Sequence, residues 1–138
     1  MQAPIRLFGS LLFILFFSYQ LFTPYFYSDN SLEKSGVEHI KSYYKLSDDN
    51  LTAEQRENLA KSSLNEEMAY SALKLGNYPE SKLTGIDVLE INRNYYLYHL
   101  IVEVKEQVDH QIEKMTYRFT FDKENGGFKI NGMEVVNH

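Results

Sequence analysis

The sequence predicts an α+β protein: an N-terminal transmembrane helix, then two or three helices packed on a curved four-stranded antiparallel sheet. Three observations carry that expectation. A run of about 22 residues, Leu7 to Ser28, holds no charged side chain. Behind it come three helix-compatible segments, each opened by a capping-box pattern. After Gly76 the apolar period shortens from helical spacing to the two-residue alternation of strands, and it stays so to the end.

The first element is the apolar run. It is long enough to cross hydrocarbon at about 1.5 Å per residue. Leu11, Phe13, Leu15, Phe17 and Phe22 lie within it as anchor residues. Tyr19, Tyr25 and Tyr27 gather at one end, where an aromatic belt meets the headgroups. Pro24 marks the end of the helix or a kink. Six of the nine Phe fall in this stretch, whereas eight of the eleven Tyr follow Asn30. Phe suits hydrocarbon and Tyr suits a half-buried sheet, so the chain is divided between two solvents. Arg6 and the amino terminus form the positive flank. The expected topology is single-pass, with a cytoplasmic N-terminus and residues 31–138 outside the cytoplasm. A cleaved signal peptide is the competing reading, but Ser18 to Phe22 offers no small-x-small site. The expected boundary places anchor and short linker at residues 1–30, with Ser28 to Ser31 as the linker.

Three helices are expected next. Ser35 with Glu38 opens one over about Gly36–Leu46, whose apolar face carries Val37, Ile40 and Tyr44. Thr52 with Gln55 opens a short polar helix over Ala53–Lys61. Ser63 with Glu66 opens a third over Leu64–Leu75, striped by Leu64, Met68, Ala72 and Leu75. Gly76 closes it as a left-handed cap.

Four strands follow. Ile86–Ile91 is the first. Tyr95–Lys105 is apolar on both faces, which points to a central or curved position. Val108-Asp109-His110 reads as a turn. Met115, Tyr117, Phe119 and Phe121 then alternate with polar residues on a half-buried strand. Asp122–Gly127 is a hairpin loop. Phe128–Val135 closes the sheet, interrupted at Asn131-Gly132 by a bulge or tight turn. Connections this short force antiparallel neighbours.

Composition removes several functions. The chain has 138 residues, a net charge of −5 and no Cys. That excludes disulfides, thiolate catalysis and cysteine zinc sites. An acidic domain without a basic stripe is poorly made for gripping nucleic acid directly. His39, His99, His110 and His138 form no metal-ligand spacing, so no metal and no cofactor is expected. Asp48-Asp49-Asn50 lacks the Gly and Glu of a calcium loop. Glu66 and Glu67 diverge on a helix and read as solvated surface. No catalytic constellation is visible. Tyr43, Tyr44, Tyr95 and His99 are candidate protein-contact residues, because Tyr joins large area to a hydroxyl at little entropic cost. The alternative for the Tyr residues is simple packing in the core, and for His99 a packed histidine.

This layout resembles the nuclear-transport-factor-like (cystatin-like) cone. More narrowly, it is similar to the bitopic scaffold proteins of type IV secretion and Gram-positive conjugation machineries. The residues that carry the resemblance are Val37–Tyr44 (VEHIKSYY), Leu51–Leu64 (LTAEQRENLAKSSL) and Gly126–Gly132 (GGFKING). In that family a helix ending in a Tyr pair precedes a polar helix with an Arg. The resemblance implies a non-enzymatic, membrane-anchored assembly subunit that forms homo-oligomers and contacts other membrane-complex subunits. Two alternatives stand beside it. Some relatives of the cone bind small apolar ligands or are isomerases that use a carboxylate and Tyr hydroxyls. The third reading is a small membrane-anchored regulator or immunity protein with no machinery around it.

Overall fold

The computed structural model describes residues 28–94, 96–124 and 127–136. The anchor residues Leu11, Phe13, Leu15, Phe17 and Phe22, and the contact candidate Tyr95, lie outside them. Among the described residues no helix is long and apolar enough to cross a membrane.

Three helices precede four strands: α1 (Asp29–Lys45), α2 (Ala53–Ser63), α3 (Glu66–Leu75), β1 (Lys82–Arg93), β2 (Leu97–Val108), β3 (Gln111–Glu124) and β4 (Gly127–Val135). The sheet is antiparallel throughout, in the order β1-β2-β3-β4. The α+β reading therefore holds, with three helices rather than two.

Two of the expected helix starts are displaced. α1 begins at Asp29 and not at Gly36, so the supposed linker is its N-cap and first turn. The Ser28 hydroxyl accepts the Ser31 N–H, and Asp29 meets the helix dipole. The Ser35–Glu38 pattern lies inside the helix. α3 is capped by Asn65, whose side chain accepts the Met68 N–H at 2.9 Å, and not by Ser63. The middle start is as expected. Thr52 and Gln55 form a reciprocal capping box. Gly76 closes α3 at φ 70°, a left-handed conformation that a side chain would resist.

Arg56 on α2 ties the α1–α2 connection together. Its Nε donates to the Leu46 carbonyl at 3.0 Å and its Nη2 to that of Asp48 at 3.0 Å. A cation thus covers the Leu46 carbonyl at the C-cap of α1 and shares the Asp48 carbonyl with the Leu51 N–H in the connection that follows.

The helices lie on one face of the sheet. Tyr98, Leu100, Val102 and Val104 of β2, Phe119 and Phe121 of β3 and Ile130 of β4 are fully buried there, against Leu32, Ile40, Tyr43 and Tyr44 of α1. Tyr98 stacks on Phe121 with ring centroids 4.7 Å apart and meets Phe128 edge-on at 5.2 Å. Large rings therefore fill the hollow of the sheet. β1 and β3 run beyond both expected ends, β3 taking in Asp122–Glu124 of the expected loop, whereas β2 begins at Leu97 and runs on to Val108; bulges bend the sheet. β1 breaks register between Leu83 and Gly85 and again between Val88 and Glu90. In β4 the expected irregularity is a bulge at Asn131, since Thr120 faces Gly132 while Phe121 faces Ile130. Asp109 and His110 make the β2–β3 turn, both at positive φ (49° and 68°), as a two-residue turn of type I′ requires.

Candidate functional site

Among the described residues one acidic side chain, Glu106, is buried in the domain. The buried face of β2 runs Tyr98, Leu100, Val102, Val104, and the next residue at that spacing is Glu106, which is 8% exposed. Its Oε1 accepts the Tyr117 hydroxyl at 2.9 Å, and its Oε2 accepts the Ser81 hydroxyl. Ser81 ends the loop between α3 and β1. At the start of that loop, the Asn77 carbonyl accepts the Tyr43 hydroxyl at 3.4 Å. Two hydrogen bonds thus hold the loop down over one end of the core.

The hydroxyls here are held protonated. Burial, then the hydrogen bond to Glu106, pushes Tyr117 up to about 12. Tyr44 is raised further, by burial first and then by the nearby charge of Glu106 and by Tyr117. Its hydroxyl is buried without a hydrogen bond of good geometry. A hydrogen-bonded carboxylate beside protonated phenols can hold a polar group of a ligand, or it can serve as a satisfied structural anchor. Tyr117 packs edge-on against the buried Phe119, with centroids 6.1 Å apart.

The contact candidates separate into two kinds. Tyr43 and Tyr44 are 7% and 4% exposed and belong to the core. His99 lies on the outer face of the sheet, where its Nδ1 pairs with the Thr120 hydroxyl at 2.9 Å. Exposed apolar area comes instead from Tyr70, Leu75, Leu89, Tyr96, Val108, Ile112 and Val135. Among the described residues no group of three His, Cys, Asp or Glu could hold a metal ion.

Two grooves cross the surface. One of about 770 Å³ lies between α2 and α3, floored by Leu64, Ala69 and Leu73 and rimmed by charges of both signs. The other, about 950 Å³, runs between the end of α1 and the start of β1, from Lys41, Tyr44 and Lys45 to Lys82–Ile86. The two sheet edges differ. The outer edge of β4 receives a parallel bridge from Leu64, with the Asn65 N–H donating to the Ile130 carbonyl at 2.9 Å.

His39 on α1 is half-buried, 6.4 Å from the Phe121 ring. Burial lowers its pKa below the ordinary 6.5, and Lys129 adds to this, against the Phe128 backbone and Glu38. The folded state therefore prefers the neutral ring. Its contribution to stability is complete above pH 6.5 and is lost as pH falls, because the unfolded chain takes up the proton first. The expected result is a melting temperature that falls from about pH 8 to pH 5. The fall should be shallower in His39→Gln. Equal slopes in the two proteins would refute the assignment.

Known proteins confirm the class of fold this geometry defines. A solved structure described as Ntf2-like, the potential transfer protein TraM from the Gram-positive conjugative plasmid pIP501, superposes with a TM-score of 0.59 at 10% identity, over 80% of this chain and 97% of that one. The intermembrane space region of the chloroplast protein ARC6 superposes with a TM-score of 0.53 at 13% identity, over 76% and 96%. The chain is thus similar in fold to Ntf2-like domains. No family model and no curated protein matches its sequence.

Proposed function

We propose that this protein is a non-enzymatic, membrane-anchored assembly subunit of a conjugation or secretion complex, single-pass, with its folded domain outside the cytoplasm. The observation that carries this reading is the likeness in fold to a potential transfer protein of a conjugative plasmid, over nearly all of that chain. The hollow of the sheet supports it, since Tyr98, Phe119 and Phe121 occupy space that a ligand would need. The uncharged run Leu7–Ser28 supplies the anchor. Anchoring confines the domain to a plane and raises its effective concentration toward neighbouring subunits. Its partners are other membrane-complex subunits and further copies of itself.

Cross-linking in the native cell tests this directly. Several membrane-associated proteins should copurify with the full chain, and its deletion should block transfer of a mobile element. Copurification of nothing would sink the reading. Topology is checked by Ser31→Cys, which an impermeant thiol reagent should label in intact cells.

A ligand-binding cone is the second reading, favoured by one observation: Glu106 with Tyr117, Ser81 and Tyr44 around it. A small molecule retained by the purified protein and lost in Tyr117→Phe would move the assignment there.

A further inference from the structure

The open edge of β1 carries an inference that rests on the assembly reading and names the surface. We propose that two copies of this chain join edge to edge through β1, antiparallel about a two-fold axis at Ile86, to form a continuous eight-stranded sheet.

The sheet has two edges, and they are treated differently. β4 is bridged by Leu64 and Asn65. Among the described residues nothing pairs with the outer side of β1. Five consecutive residues, Lys82 to Ile86, line the adjoining groove, with Lys82 and Thr84 exposed and Leu83, Gly85 and Ile86 half-buried. An unpaired edge is a template for another strand.

The sequence of β1 selects both the partner and the register. A two-fold axis perpendicular to the sheet maps each face onto itself. Residues that meet across the seam must therefore share a face. The register of β1 on β2 puts Ile86, Val88 and Ile91 on the helix-covered face and Lys82, Gly85, Asp87 and Glu90 on the other. Only registers centred on a residue satisfy this. Centring on Asp87 sets two carboxylates against each other, where Asp87 already faces Glu103 across β2. Centring on Ile86 sets Ile86 against its own copy, Gly85 against Asp87, and Lys82 against Glu90. Each seam then gains two Lys–Glu pairs. Among the described residues neither Lys82 nor Glu90 has an ion-pair partner in the monomer, where Glu90 takes a 3.3 Å contact from Asn92. Leu89, 55% exposed at the second bulge, meets Leu83 of the other copy. The two bulges limit the regular stretch to Gly85–Val88, so the seam is short. A short seam suits a chain concentrated in a membrane plane.

The native chain has no cysteine, so a single introduced thiol reports the register cleanly. The full-length protein in its own membranes is the sample. Ile86→Cys should give a disulfide-linked dimer on mild oxidation, because the two copies of residue 86 face each other within about 5.5 Å. Val88→Cys should not, since its two copies stand about 13 Å apart along the strands. Adding Lys82→Glu or Glu90→Lys to Ile86→Cys should abolish the dimer, and adding both should restore it. The proposal is overturned if Ile86→Cys stays monomeric, if Val88→Cys links equally, or if the single reversals leave the dimer unchanged. A different protein covering the edge would appear as the first of these. Copurification of other membrane subunits with the Lys82→Glu chain separates the outcomes: their persistence leaves the assembly reading standing while the seam fails.

Discussion

Phe119→Ala is expected to destabilise the folded domain by about 3–5 kcal/mol. Phe119 is fully buried on the helix-covered face of β3. Across β2 it faces Leu100 and across β4 it faces Met133, and Tyr117 packs edge-on against it. Truncation removes the ring's transfer free energy and leaves a cavity that two antiparallel ladders cannot collapse around. For a domain of this size that is a large share of the total stability. Chemical denaturation of the chain from Ser28 onward, with Asp29 as the first residue of α1, measures it. Wild-type unfolding should be cooperative, with the midpoint falling sharply in the variant and the slope unchanged. A loss below about 1 kcal/mol would mean that the interior is not packed as described.

Gly36→Ala should also destabilise, by about 1–3 kcal/mol, although alanine is the better helix former by about 1 kcal/mol. Gly36 lies in the middle of α1 and is buried. A Cβ there would stand 2.5 Å from Leu100 Cδ1, 3.2 Å from Phe121 Cζ and 3.4 Å from the Tyr98 hydroxyl. Leu100 and Phe121 have no free space to retreat into, since both are fully buried. The helix must lift or the core must shift. A gain in stability would show that propensity outweighs the contact. The control is Ser62→Ala, an exposed position on α2 that should change stability little.

Much of the fold was legible because it is written in local chemistry. Thr52 and Gln55 are three residues apart, and their reciprocal hydrogen bonds need nothing from the rest of the chain. Asp109-His110 between alternating strands, Gly76 after a helical stripe and Asn131-Gly132 in β4 were equally local signals. The misplaced helix starts show the limit. Ser35 and Ser63 have the right spacing to an acidic residue, yet the chain is already helical at Ser35, and Asn65 captures the cap that Ser63 was expected to provide. Several residues within one turn can serve as a cap, and packing decides among them.

The site was less legible than the fold. The expected second strand ended at Lys105, one residue short of Glu106, so the sole acidic residue on the buried face of β2 was passed over. Extending the two-residue period of Tyr98, Leu100, Val102 and Val104 by one step would have found it. Nothing local could have found Ser81 or Tyr44, which reach Glu106 from separate elements. Tyr43 and Tyr44 were weighed as contact surface or core, and composition could not choose, because the same ring serves both.

The sequence by itself determined the class of fold, the count of strands, the turn that joins β2 to β3 and the absence of cysteine chemistry. Each depends on residue type and on spacing of a few positions, which fix local torsions and the side of an element that turns inward. Only the tertiary structure decided which rings fill the interior, which carboxylate is buried with hydroxyl partners, and which sheet edge stays open. Those outcomes depend on residues far apart in the chain meeting in space: Gly36 with Leu100, Ser81 with Glu106, Leu64 with Ile130. Burial and pairing are properties of that meeting, and no spacing rule along one strand or helix contains them.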